Sequence, residues 1–140
     1  MNERIILFAL TAVLSGCAVP VRLVETSPKV KNTLEFLYEH LPVEFSVCAY
    51  GKIRGSTVLI ERVDLPVIFM ATEDQVLSDP GSCSKKDILG VIHSHRPGYF
   101  CRFSPVDVRE YFSDEYFKNY KLDFLYCSGS LLWQSKTNPP

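Results

Sequence analysis

The stretch DILGVIHSH, residues 87–95, most constrains what this chain can fold into. It is an almost unbroken apolar run, and a run of that length suits a strand covered on both faces. It ends in two histidines with a single residue between them, His93 and His95. Side chains alternate across a strand, so positions i and i+2 share a side. Both imidazoles therefore leave the end of a buried strand in one direction. A loop containing Pro97 and Gly98 follows, and then SPVDVREYFSDEYFKN, residues 104–119, reads as a helix. Ser104 suits its cap, Pro105 its first position and Asp107 its first turn. The loop can fold back, which brings Asp107 towards the histidines.

Two neutral imidazoles and one carboxylate form a ligand set that suits zinc and leaves a fourth position open. A closed structural site would fill that position with protein. Zinc makes water a nucleophile near neutral pH. Amide hydrolysis also needs a base that carries the water proton to the leaving amine, and a donor for the oxyanion. Ser104 begins the same helix as Asp107 and is placed to donate. The base should be a carboxylate from another strand, and Glu44 in LPVEFSVCAYG, residues 41–51, is the candidate. Glu61, Asp64, Glu73 and Asp74 are its rivals. Glu61 reads as a strand residue and the others as solvated acids. Taken singly, each motif has an ordinary reading: solvated histidines, a capping box, a surface glutamate. Cys101 lies inside the loop, where pairing or packing is expected rather than ligation. His40 reads as a helix-end residue that meets the dipole and water.

The remaining elements follow from pattern. KVKNTLEFLYEHL, residues 29–41, places Val30, Leu34, Leu37 and Leu41 at helical spacing, and Pro42 stops it. Residues 43–51 and 56–65 read as strands with a turn between, and PVIFMA, residues 66–71, as a third. Residues 72–87 are polar with a Pro-Gly break and read as loop or an irregular helix turn. Gly51, Pro97 and Gly98 read as turn residues. Residues 121–127 and 130–135 form a hairpin about Ser128 and Gly129, and residues 136–140 a tail. Helix, strands, helix, strands predicts an α/β (α+β) fold, a mixed β-sheet flanked by helices. At 140 residues one domain is expected. Net charge is −1 with no basic stripe, so no nucleic-acid partner is expected.

The N-terminus carries a different signal. MNER precedes IILFALTAVLSG, residues 5–16, an apolar run too short to span a membrane as a helix. A charged start, a short apolar core and small residues describe a signal peptide over residues 1–16. Its end, LSGC, resembles the bacterial lipobox, which implies lipidation at Cys17 and a tether over residues 18–28. Ala18 rather than Asp follows the cysteine, which points to the outer membrane and the periplasm. Cys48, Cys83, Cys101 and Cys127 remain. An exported chain can oxidise them, and three pairings are open. Without a C-x-x-C pair, a cysteine-rich zinc knot is not expected.

PVEF, then HSH, then SPVD, in this order, resembles the JAB/MPN/JAMM family of zinc metallopeptidases. The resemblance runs over most of residues 29–135. It implies a sheet flanked by helices, distantly similar to cytidine deaminases. It also implies zinc on His93, His95 and Asp107, Glu44 as general acid/base, and Ser104 aiding the oxyanion. The family's pattern has proline directly after the second histidine and seven residues before the serine. Here Arg96 intervenes before Pro97, and eight residues separate His95 from Ser104. That extra residue would move Asp107 or bring a guanidinium to the substrate mouth if the loop did not absorb it. The expected function is a zinc hydrolase of the cell envelope, held to the membrane by lipid. It would cleave peptide or isopeptide bonds, with cell-wall peptides as a target. The alternative is a metal-free binding or assembly module. A nucleotide deaminase would need H-x-E and P-C-x-x-C, and the chain has neither.

Overall fold

A computed structural model describes residues 19–113 and 116–136. The run read as a signal peptide, and Cys17, expected to be lipidated, lie outside the described residues. Ten regular elements follow one another: β1 Leu23–Thr26, α1 Pro28–His40, β2 Ser46–Arg54, β3 Thr57–Asp64, β4 Val67–Ala71, β5 Val76–Asp79, β6 Ile88–Ser94, α2 Pro105–Ser113, β7 Leu122–Cys127 and β8 Ser130–Ser135. Six strands form one sheet in the order β1-β3-β2-β6-β7-β8, and β4 pairs with β5 apart from it. The β1/β3 and β6/β7 pairs are parallel and the rest antiparallel, so the sheet is mixed, as expected.

The apolar run of residues 87–95 becomes β6, and β6 lies near the middle of the sheet. Its residues alternate between two buried environments. Leu89 and Ile92 belong to the main core with Val30 and Leu34 of α1, while Val91 packs with Cys48, Tyr50 and Tyr120 on the other side. The α1 stripe is the one its spacing predicts. Ser27 caps it by accepting from the Val30 N–H at 3.3 Å. One face of the sheet thus buries α1, and the other carries α2 and the ends that hold His93 and Asp107.

Two disulfides choose among the three pairings. Cys48 bonds Cys83, and Cys101 bonds Cys127. The first ties β2 to the segment after β5. The second ties the loop after β6 to the last residue of β7.

Several element boundaries differ from the sequence reading. Leu23–Thr26, read as tether, is a strand in parallel register with Thr57–Ile60. Four residues of mixed polarity give no local signal, and the distant partner supplies the order. Val76–Asp79, in the stretch read as loop or an irregular helix turn, instead pairs with β4, while the 3-10 turn at Pro80–Ser82 agrees with that reading. The β2 strand starts at Ser46 and reaches Arg54, so the turn shifts to Gly55 and Ser56, with Gly55 at φ 59°. The second helix stops at Ser113, and a 3-10 turn covers Tyr116–Asn119. The final hairpin is as expected: Ser128 and Gly129 have φ of 46° and 81°, the signs a two-residue type I′ turn demands.

Gly51 is not a turn residue. It sits in β2 at a bulge, where a Cβ would lie 1.9 Å from the Leu59 carbonyl oxygen. Gly90 in β6 is tighter still, with a Cβ position 1.8 Å from the Leu122 oxygen. The β6 and β7 backbones approach closely only because Gly90 has no side chain. Gly90→Ala should therefore destabilise the fold by about 3 kcal/mol through displaced backbone. Gly55→Ala faces open space and should cost about 1–2 kcal/mol, from left-handed strain alone. Urea unfolding midpoints of the two variants check the order.

Candidate metal centre

The β6 register sets the first two donors. His93 lies opposite Ser46 of β2 and beside Leu125 of β7. His95 lies just past the strand end, but its N–H still donates to the Tyr126 carbonyl at 3.1 Å. The chain therefore stays extended through both histidines, and their ring centroids are 5.4 Å apart.

The start of α2 supplies the third donor. The Ser104 N–H donates to Asp107 Oδ2 at 2.6 Å, and the Asp107 N–H donates to Ser104 Oγ at 3.1 Å. This is a reciprocal capping box with aspartate as the acid. It fixes the carboxylate, whose Oδ1 faces His93 Nε2 at 3.5 Å and whose Oδ2 faces His95 Nε2 at 3.4 Å. One ligand atom from each of His93, His95 and Asp107 lies within 4.8 Å of the others. The capping bond uses Ser104 Oγ as acceptor and leaves its O–H able to donate.

The imidazoles are poised as ligands. His95 Nδ1 donates to the Phe100 carbonyl at 3.0 Å. A carbonyl only accepts, so Nδ1 carries that hydrogen, and in the neutral ring the Nε2 lone pair points at Asp107. His93 Nε2 is buried and has no hydrogen-bond partner. An orphaned buried nitrogen is costly. A divalent ion between the three residues would satisfy it, and two nitrogens with one carboxylate oxygen suit zinc. The residues present fit such an ion.

Charge follows the same geometry. Burial works to raise the Asp107 carboxyl, but the two facing imidazoles and the Ser104 N–H hold it well below the usual carboxylate range. Burial pushes Glu44 up to about 7, against the pull of His95 and His93.

Glu44 is 6% exposed and lines one cleft of about 760 Å³ with His93, His95, Ser104 and Asp107. It stands two residues before β2 rather than within it. Its N–H donates to the Thr72 carbonyl at 2.7 Å, and its neighbour Phe45 exchanges bonds with Ser94: the Phe45 N–H reaches Ser94 Oγ at 2.9 Å, and the Ser94 N–H reaches the Phe45 carbonyl at 3.0 Å. These bonds hold Glu44 beside the end of β6. Its rivals are otherwise engaged. Glu61 is exposed and pairs with Lys52 at 2.5 Å, and Asp64 pairs with Arg62. Asp74 reaches the cleft but accepts from Thr72 Oγ1 at 2.8 Å. Glu73 is exposed and does not line the cleft. His40 donates from Nδ1 to the Phe36 carbonyl at 2.9 Å, far along α1.

The sequence reading missed Asp123 and Gln134. They face each other across β7 and β8 and are 4% and 2% exposed. Gln134 Nε2 donates to Asp123 Oδ2 at 2.8 Å, and Asp123 Oδ1 lies 3.9 Å from His93 Nδ1. Burial raises the Asp123 carboxyl to about 6, while His93 pulls it down. A lone acid inside the apolar run KLDFLYC was the available signal. Counting back from the Ser128–Gly129 turn places Gln134 opposite it.

No family model matches the sequence, and no curated protein matches it. Solved structures do share the architecture. A JAB1/MPN domain protein from Archaeoglobus fulgidus superposes with a TM-score of 0.50 at 16% identity, over 84% of this chain and 90% of that one. A protein from Desulfitobacterium hafniense, solved in solution, gives 0.52 at 18% identity, over 81% and 82%.

This chain has a JAB/MPN fold. At these identities the likeness speaks to fold, and the site rests on its own geometry. Within this fold Arg96 turns away from the cleft: its guanidinium donates to the Tyr38 carbonyl on α1 and lies 5.0 Å over the Tyr38 ring. Arg96 does not line the cleft, and Asp107 stands with His93 and His95.

Cys101 is no ligand, because it is bonded to Cys127. Its neighbour Phe100 supplies the carbonyl that orients His95. The disulfide closes a separation of 26 residues, which in the loop-entropy account is worth about 3–4 kcal/mol. The double variant Cys101→Ser, Cys127→Ser should lose about that much stability. Any divalent ion held by His93, His95 and Asp107 should also be lost more readily from it than from the Cys48→Ser, Cys83→Ser variant, as chelator competition would show.

Proposed function

We propose that this protein is a zinc-dependent hydrolase of peptide or isopeptide bonds. The observation that carries the reading is the convergence of His93, His95 and Asp107 on one point, with His93 Nε2 buried, without a hydrogen bond, and facing Asp107 Oδ1 at 3.5 Å. An ion held there supplies Lewis acidity, which makes water a nucleophile near neutral pH. The chain's own residues do the rest. Glu44, buried in the cleft and shifted towards neutrality, takes the water proton and gives it to the leaving amine. A carboxyl near 7 can hold and release a proton at working pH, which one near 4 does poorly. The Ser104 O–H donates to the developing oxyanion from a position fixed by the helix cap.

The cleft walls favour a polypeptide. Phe69, Leu77, Tyr99, Phe100 and Val106 line it, all well exposed. Asp74, Asp79 and Glu110 outnumber Arg102 in the lining, which disfavours a polyanion. The setting is proposed from the N-terminus. Lipidation of Cys17 would anchor the chain to a membrane, on the periplasmic face of the outer membrane, where cell-wall peptides are substrates. Two disulfides support an oxidising compartment. Among the described residues, no helix is long and apolar enough to cross a membrane. A scaffold module has less support, since the full donor set is present and converges.

The mature wild-type chain should bind about one zinc per molecule in this reading. His95→Ala and Asp107→Asn should lose most of it. Glu44→Gln should keep the metal and cut hydrolysis of a peptide panel by about 10²–10⁴-fold. Metal analysis and turnover measured on the same preparations check all three. Unchanged turnover in Glu44→Gln would remove the catalytic assignment.

A further inference from the structure

Asp123 is the buried acid that the site as described does not use. It stands in β7 among Leu122, Phe124 and Leu125. Strand alternation puts it on the face of the sheet that carries Val91 and His93, since Val91 is its direct partner in β6. A carboxylate 4% exposed among apolar residues is expensive unless partners hold it. Its partners here are specific. Gln134 donates to Oδ2 at 2.8 Å. That bond orients the carboxyl so that Oδ1 faces His93 Nδ1 at 3.9 Å. That gap is about 1 Å longer than a hydrogen bond.

The other nitrogen of His93 is the orphan. Nε2 points at Asp107, 3.5 Å away, and has no hydrogen-bond partner. A ring with a carboxylate behind Nδ1 and a donor-seeking site ahead of Nε2 has one useful tautomer. The hydrogen belongs on Nδ1, and the lone pair of Nε2 faces the metal point. His95 reaches the same state by another route, since its Nδ1 donates to the Phe100 carbonyl. Carboxylate behind one imidazole and carbonyl behind the other is the usual way a protein fixes metal-binding histidines.

We infer that Asp123, held by Gln134, is a positioning residue that orients His93 and fixes its Nδ1–H tautomer for metal binding. The inference rests on the metal reading above. It explains why β7 and β8 each carry a buried polar residue in direct register, where an apolar pair would pack without cost. It also places the Gly90 contact: β6 and β7 must lie close for Asp123 to stand behind His93.

The test uses the mature chain, wild type and Asp123→Asn, with zinc as the probe. Asparagine keeps the shape and removes the charge, and the Gln134 amide can turn to present its partnerless Oε1 to the new NH₂. Three readouts are taken. Long-range ¹⁵N–¹H NMR of the zinc-loaded wild type should show His93 protonated at Nδ1 and bound through Nε2. Chelator competition should show zinc binding weakened by about 10–100-fold in Asp123→Asn. The metal-free variant should unfold at the wild-type midpoint or above it, because an unneeded buried charge has gone. Zinc bound through His93 Nδ1, or equal affinity in the two proteins, would overturn the inference. A variant that loses stability while binding zinc like wild type would reduce Asp123 to a structural role and overturn it too. If Asp123→Asn does not fold, the wild-type tautomer alone decides. A wild type that takes up no zinc fails the metal reading itself, an outcome plainly separate from equal affinities.

Discussion

The Asp107 carboxylate is shared between a helix cap and two imidazoles, and the organisation of the site depends on that sharing. One oxygen accepts the Ser104 N–H, and the two oxygens face His95 and His93. A carboxylate in the first turn of a helix is already favoured by the orphan N–H groups and the dipole. The two imidazoles, and after them the Ser104 N–H, keep Asp107 ionised, and the helix start keeps it aimed. In return, the site dictates where α2 begins. A helix that started one residue later would rotate the side chain by about 100° around its axis and take it out of reach. Local capping chemistry and the metal geometry are one constraint here.

The sheet lets this polar arrangement exist. Its α1 face is apolar, with Phe45, Val47, Ile60, Ile92 and Phe124 packed against Val30 and Leu34. The opposite face tolerates Glu44, Ser46, Asp123 and Gln134, all nearly buried. Burial of such groups opposes folding. Their tolerance on one face is intelligible because the other face supplies the core, and because Cys48–Cys83 and Cys101–Cys127 both brace the polar side. The Cys48 sulfur belongs to the small cluster with Tyr50, Val91 and Tyr120. The Cys101 bond ends beside the loop that orients His95.

What the sequence disclosed, it disclosed through local rules. The β6 run, the α1 stripe, the Ser104–Asp107 box and the Ser128–Gly129 turn each depend on residues within a few positions of one another. Glu44 became legible through order rather than locality, since an isolated glutamate before a strand carries no signal. The elements that were not legible depend on distant partners. Leu23–Thr26 is a strand because Thr57–Ile60 lies beside it. Val76–Asp79 is one because β4 turns back on it. The disulfide pairing was open for the same reason. Asp123 was hidden differently. It was read as an ordinary member of a hairpin strand, and only the parallel β6/β7 register, which no local pattern announces, puts it behind His93.

The loop that carries Arg96 shows how the three residues are held across a long connection. The arginine must be placed somewhere, and it bears a charge. Two fixed points bound the problem: His95 is pinned to Tyr126 by its N–H, and Cys101 is pinned to Cys127. Between them the chain has freedom, with Gly98 at φ 97° making the turn. Arg96 spends that freedom on α1, where the Tyr38 carbonyl and ring receive its guanidinium. Phe100 meanwhile still delivers its carbonyl to His95. The loop is therefore fixed at both ends, and α1 rather than the cleft decides where its arginine goes. Covalent and backbone anchors, more than the number of residues between them, set where the ends of such a loop lie.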